Sequence, residues 1–150
     1  MALTTQPPSR PIHLRPSLVA LVVLGGTIGT ALRNLVETTF GAQPGQFPWA
    51  TLAINLSGAF LLGLLVEALL LAVPAGARRR ALQLTLGTGL LGGYTTYGTF
   101  VLEIVGLGVR GDPGAAVGYA SVSVVAGAVA AFLGMRATRL VLTAAGGAAR

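Results

Sequence analysis

The sequence contains no cysteine and no lysine, and its single histidine, His13, stands alone in a proline-rich N-terminal arm. The missing cysteines exclude a disulfide framework and a thiolate metal centre. With no glycine-rich nucleotide loop and no nucleophile–base pair, nothing supports catalysis, and the chain reads as a non-enzyme. Charge is scarce as well: 9% of residues are charged, against the roughly 25% usual in soluble domains. What fills the chain instead is apolar, 53% of residues, with a mean hydropathy of +0.78. A net charge of +6 on such a chain offers no soluble basic face, so a nucleic-acid partner is not expected.

The few charges are spaced like punctuation. None occurs between Arg15 and Arg33, between Glu37 and Glu67, between Arg80 and Glu103, or between Asp112 and Arg136. A bilayer core of ~30 Å needs about 20 apolar residues of helix, so each interval supplies one crossing once its flanks are included. The expected fold is an all-α integral membrane protein with four transmembrane helices. The first runs from about Ser17 to Glu37, and a Gly/Pro-rich connection, Gly41 to Pro48, leads to the second, with Trp49 as an interface anchor and an end near Pro74. Arg78, Arg79 and Arg80 form a loop before a third segment from Ala81 to about Val109. After the turn signals Gly111, Pro113 and Gly114, the fourth spans about Ala115 to Leu140. Residues 1–16, which include Pro7, Pro8, Pro11 and Pro16, read as a disordered arm, 17–142 as the helical domain and 143–150 as a flexible tail. Arg10 and Arg15 before an apolar run would also fit a secretory leader, but three further spans follow.

The 22 glycines fit close helix packing, since Gly25 with Gly29, Gly89 with Gly93, and Ser123 with Gly127 and Ala131 have small-xxx-small spacing. Four crossings put Arg10, Arg15, Arg78, Arg79, Arg80, Arg136, Arg139 and Arg150 on one side, against Arg33 and Arg110 on the other. The positive-inside rule places both termini in the cytoplasm and the chain in the cell (inner) membrane as a multi-pass protein.

The third segment departs from a plain span: it reads Gly89-Leu-Leu-Gly-Gly-Tyr-Thr-Thr-Tyr-Gly-Thr-Phe100 and then reaches Glu103. Gly92, Gly93 and Gly98 are poor helix formers, and Thr95, Thr96 and Thr99 compete for backbone groups, so the spacing predicts a helix broken at mid-membrane. Unwound backbone there must be buried in protein or line a watery cavity, and its free carbonyls suit a cation. If helix resumes, Thr96, Thr99 and Glu103 share one face, beside a stripe of Tyr97, Phe100 and Ile104. Hydroxyl donors and the positive edges of aromatic rings can guide an anion without trapping it.

Other polar residues leave two readings open. Glu103 is either a pore-lining carboxylate or an interfacial one, whereas Glu67 reads as interfacial. Asn55, about two turns into the second helix, either donates into a pore or ties two helices together. Tyr119 and Ser123 share a face that serves packing or a pore, and Arg33 is a vestibule residue or a snorkelling arginine.

Three stretches, Gly25 to Arg33, Thr51 to Gly58 with Gly63 following, and Gly89 to Phe100, resemble the Fluc/CrcB family of small fluoride channels, over a match from about Leu18 to Leu142. The resemblance implies passive fluoride export by an antiparallel, dual-topology dimer, with two pores at the interface and a structural Na+ held by carbonyls of the broken helix. By motif position those carbonyls belong to Gly92 and Thr95. It also implies pore roles for Asn55, Tyr97 and Phe100, a polar track of Thr99, Glu103, Tyr119 and Ser123, and a vestibule role for Arg33. Partners would be fluoride, the lipid bilayer, and a second copy of the chain or a paralogous subunit.

Three features depart from that pattern. Tyr97 stands for the usual Phe, Gly98 for the usual Ser, and the arginine asymmetry opposes insertion in both directions equally. The alternatives are one half of an obligate heterodimer, a small proton-coupled cation or multidrug exporter, and a non-transporting assembly subunit.

Overall fold

The structure, a computed structural model, describes residues 15–41 and 46–148, with side chains through Ala144. The first fourteen residues of the expected arm and the last two of the expected tail lie outside the described residues. Every regular element among those described is helical: α1 (Pro16–Phe40), α2 (Trp49–Ala72), α3 (Ala77–Leu82), a π-helical segment (Gln83–Leu91), α4 (Gly92–Tyr94), α5 (Gly98–Val109) and α6 (Pro113–Ala148). Three of these, α1, α2 and α6, are each long and apolar enough to cross a membrane. The third charge-free interval, Arg80 to Glu103, falls instead within the run of α3, the π segment, α4 and α5, none of which is long enough alone.

Boundaries differ from expectation at four places. Pro16 is the first residue of α1 and not the last of an arm, since its missing N–H costs nothing at a helix start. Arg78, Arg79 and Arg80 lie in α3 and not in a loop. Helix α6 begins at Pro113, with Asp112 Oδ1 accepting from the Ala115 N–H at 2.9 Å as its cap. It continues through the expected tail to Ala148, where alanines favour helix and the Thr143 hydroxyl donates back to the Arg139 carbonyl at 2.9 Å. Between α5 and α6, Gly111 adopts a φ of 85°, the left-handed region that a glycine tolerates without strain.

Contacts between helices set the directions. Helix α2 runs parallel to α6: Gly63 faces Ala131, Phe60 faces Gly134, the Thr138 hydroxyl donates to the Leu64 carbonyl at 3.2 Å, and Glu67 pairs with Arg139. The π segment runs parallel to α1, with Gly25 against Thr85 and Leu90, and Gly29 against Leu90 and Tyr94. The stretch from the π segment to α5 passes antiparallel to α2, with Gly87 beside Leu62 and Leu65, Thr95 beside Gly58, and Glu103 bonded to Thr51. In this arrangement Arg15, Arg78 to Arg80, Arg136 and Arg139 share one end of the molecule.

Glycine is required at the α2–α6 crossing because a Cβ at Gly63 would collide with the Ala131 carbonyl, and one at Gly134 with the Phe60 carbonyl. Backbone obstacles cannot swing aside as a side chain can. Gly134→Val is therefore expected to push the two helices apart and lower stability by about 1–3 kcal/mol, read as a fall in thermal unfolding midpoint in detergent.

The buried core is small. Ile54 and Tyr119 are fully enclosed, and Leu52, Leu107, Ala116 and Tyr119 form a cluster that Phe47, Leu56, Phe100 and Ile104 surround. Much apolar surface stays exposed, including Leu35, Leu102, Val109 and Val124, as expected where the outer surroundings are lipid or another subunit. Glu67 shows the opposite pattern: it is 4% exposed, and its Oε1 accepts from Arg139 Nη2 at 2.6 Å and from Nε at 2.7 Å. Arg139 removes the cost of burying that carboxylate while keeping most of its own side chain outside.

Candidate functional site

Helix α4 ends at Tyr94 and α5 begins at Gly98, leaving Thr95 extended at φ −75° and ψ 156°. An interruption of this kind orphans backbone groups that must be satisfied from outside the ladder. Asn55 on α2 does so twice. Its Nδ2 donates to the Thr96 carbonyl at 3.1 Å, and its Oδ1 accepts from the Thr96 N–H at 2.9 Å. A primary amide presents the same donor and acceptor pair as a strand neighbour, so one side chain substitutes for a segment of backbone.

The threonines finish the repair. The Thr95 N–H and hydroxyl both donate to the Leu91 carbonyl, each at 2.9 Å, closing the end of α4. Thr96 Oγ1 accepts from the Thr99 N–H at 3.2 Å, satisfying a first-turn donor of α5, and donates to Thr99 Oγ1 at 3.0 Å. Gly58 leaves room for this arrangement, since a Cβ there would collide with the Thr95 methyl.

Two carbonyls lose their ordinary helical partners in consequence. In unbroken helix the Thr96 N–H would bond the Gly92 carbonyl and the Thr99 N–H that of Thr95. These two donors are instead engaged by Asn55 Oδ1 and Thr96 Oγ1. The carbonyls of Gly92 and Thr95 are the pair assigned to a cation by motif position, and oxygen donors of this type suit a hard cation such as Na+.

A cavity of about 390 Å3 opens beside the interruption, and among its lining residues are Asn55, Gly92, Thr95, Tyr97, Phe100 and Ser123. The Ser123 hydroxyl is buried with no hydrogen-bond partner, so it brings a donor to the cavity that no protein group uses. The ring centroids of Tyr97 and Phe100 are 6.4 Å apart, and those of Phe100 and Tyr119 5.3 Å at an interplanar angle of 56°. Tyr97 is 79% exposed in the single chain.

Glu103 lies behind the aromatic group. Its Oε1 accepts from the Thr51 hydroxyl at 2.6 Å and its Oε2 from the Tyr119 hydroxyl at 2.7 Å. Three elements, α2, α5 and α6, thus meet on one carboxylate. Thr99 and Glu103 also line a second cavity of about 220 Å3.

Of the residues singled out from sequence, one cavity gathers Asn55, Gly92, Thr95, Tyr97, Phe100 and Ser123, while Thr99, Glu103 and Tyr119 form an adjoining polar group. Arg33 lines neither cavity; it sits half-buried on α1. Thr51 and Thr96 were not among the assigned positions. Thr51 precedes Asn55 by four residues on α2 and so shares its face, which is the signal that would have found it.

Comparison with known proteins shows the family. The family model described as CrcB-like protein, Camphor Resistance (CrcB), matches residues 20–135. A protein of Cutibacterium acnes named fluoride-specific ion channel FluC 1 is 43% identical over 128 residues, covering 85% of this chain and 90% of the relative. One from Chelativorans sp. named fluoride-specific ion channel FluC is 42% identical, covering 81% and 96%. A third from Nocardia farcinica, fluoride-specific ion channel FluC 2, is 38% identical, covering 88% and 92%. A match of this extent, on a chain whose polar residues converge at an interrupted helical segment, makes the protein a member of the CrcB family.

Proposed function

We propose that the chain is a subunit of a passive, fluoride-selective channel that exports fluoride across the cell membrane. The observation that carries this reading is the cavity of about 390 Å3 beside the Asn55-clamped interruption, lined both by Ser123, whose hydroxyl has no partner, and by Tyr97 and Phe100. Fluoride is small and a strong hydrogen-bond acceptor, so hydroxyl and amide donors with aromatic edges replace its hydration without a fixed positive charge. The names of the relatives support the same ion. Ion passage needs no covalent chemistry.

In this reading the interruption between Tyr94 and Gly98 lies at mid-membrane, and the described helices cross the inner membrane as a multi-pass domain. Two antiparallel copies enclose two routes, with Asn55, Tyr97 and Phe100 at the narrow part, Thr99, Glu103, Tyr119 and Ser123 as a polar track, and Arg33 toward a vestibule. The Gly92 and Thr95 carbonyls of both subunits would hold a structural Na+. When bound, that ion supplies a fixed positive field beside the anion route and ties the subunits together.

A second reading concerns the partner. Arg15, Arg78 to Arg80, Arg136 and Arg139 crowd one end, while Arg33 stands toward the other and Arg110 at it. Such a bias favours one orientation, so the antiparallel mate would be a paralogous chain of opposite bias. A proton-coupled exporter fits less well, because Glu67 is held by Arg139 and both oxygens of Glu103 accept from hydroxyls.

The test is fluoride-electrode efflux from vesicles holding this polypeptide alone. Fluoride release without chloride release is the expected result. Release only after a chain of opposite charge bias is added assigns the heterodimer, and no release in either case ends the proposal.

A further inference from the structure

The smaller cavity, of about 220 Å3, is lined by Glu37 and Gly41 from the end of α1, Thr51 from α2, and Thr99 and Glu103 from the third segment. Thr99 links it to the larger cavity, because its hydroxyl is hydrogen-bonded to that of Thr96, which lines the larger one. The small cavity therefore lies where the polar track ends.

Its two carboxylates differ. Glu103 has a hydroxyl donor on each oxygen. Glu37 Oε1 is buried and has no hydrogen-bond partner. Arg33, one turn earlier on the same helix, does not compensate it, for the salt bridge found among the described residues joins Arg139 to Glu67. One of its two carboxylate oxygens thus lacks both a donor and contact with the outside, on a side chain that is half-buried. Nothing in the polar track itself requires an acid at this place.

We infer that Glu37 limits the rate of anion passage, as a negative charge on the wall of the chamber at the end of the Thr99 and Glu103 track. This rests on the fluoride reading above. An anion leaving Thr99 enters a confined space with Glu37 on its wall, and like charges repel more strongly there than across bulk water. Replacement by glutamine keeps the shape, removes the charge and adds an N–H2 donor pointing into the same space.

The experiment compares fluoride efflux from vesicles containing the wild-type chain, with its partner chain if one is required, Glu37→Gln and Glu37→Ala. Both variants are expected to raise the efflux rate by about threefold or more. The increase should be larger at about 30 mM than at about 300 mM inert salt, since screening weakens the barrier in the wild type. A gain of flux with that salt dependence is not produced by a damaged fold. Unchanged or slower efflux in both variants would overturn the inference while wild-type conduction left the fluoride reading standing. Absence of wild-type fluoride efflux would instead remove the reading on which the inference rests.

Discussion

Replacing Asn55 by alanine should cut fluoride efflux by at least about tenfold and lower stability by about 2–4 kcal/mol, because it strands both backbone groups of Thr96 at once. Thr96 is 8% exposed, so water cannot easily take the place of the amide. An unsatisfied buried donor or acceptor costs about 1–3 kcal/mol, and the substitution leaves one of each. Asn55→Asp separates the two halves of the clamp: a carboxylate still accepts from the Thr96 N–H but sets an oxygen against the Thr96 carbonyl. It should therefore also lose flux. Thermal unfolding of the purified protein and electrode efflux from vesicles measure the two effects. A variant that unfolds at the wild-type temperature would show that the interruption holds its shape without the clamp.

How far the sequence goes can be judged at particular residues. The charge-free intervals identify α1, α2 and α6 because lipid-facing helices must be apolar on all sides, a signal that survives without knowledge of packing. The π-helical turns over Gln83–Leu91 leave no such mark. A run of Leu, Gly and Thr is compatible with α or π winding, and the stretch is pressed against Gly25 and Gly29 of α1, a contact that composition does not display. Glu67 read as an interfacial carboxylate, and the structure buries it against Arg139, 72 residues away. No local pattern announces that pairing.

The polar site divides in the same manner. Glycine and threonine between Gly92 and Thr99 weaken helix by intrinsic preference, so their effect is written in the residues themselves. Asn55 left two readings, a donor to a pore or a tie between helices, and the geometry adds that both amide groups are committed to Thr96 while the side chain still borders the cavity. Thr51 escaped notice because a helical threonine ordinarily bonds its own backbone, as Thr27, Thr85 and Thr143 do here. That its hydroxyl turns to Glu103 instead depends on where α5 passes α2, which is a tertiary fact.

Phe100→Ile is expected to abolish most conduction while leaving the fold intact. Phe100 touches Tyr119 on one side and Tyr97 on the other, with tilted rings that present edges as well as faces to one another. Isoleucine fills a similar volume with no aromatic quadrupole, so apolar packing is largely preserved and the stability change should stay below about 1.5 kcal/mol. What disappears is the positive ring edge at the larger cavity. A loss of about 2 kcal/mol at the barrier corresponds to about thirtyfold in rate, and the electrode trace should slow by at least that much. Phe100→Tyr, which keeps the ring, should conduct far better than the isoleucine variant. If isoleucine conducts as the wild type does, ring edges play no part in passage, and the route must be drawn through the hydroxyls of Ser123, Thr99 and Tyr119 alone.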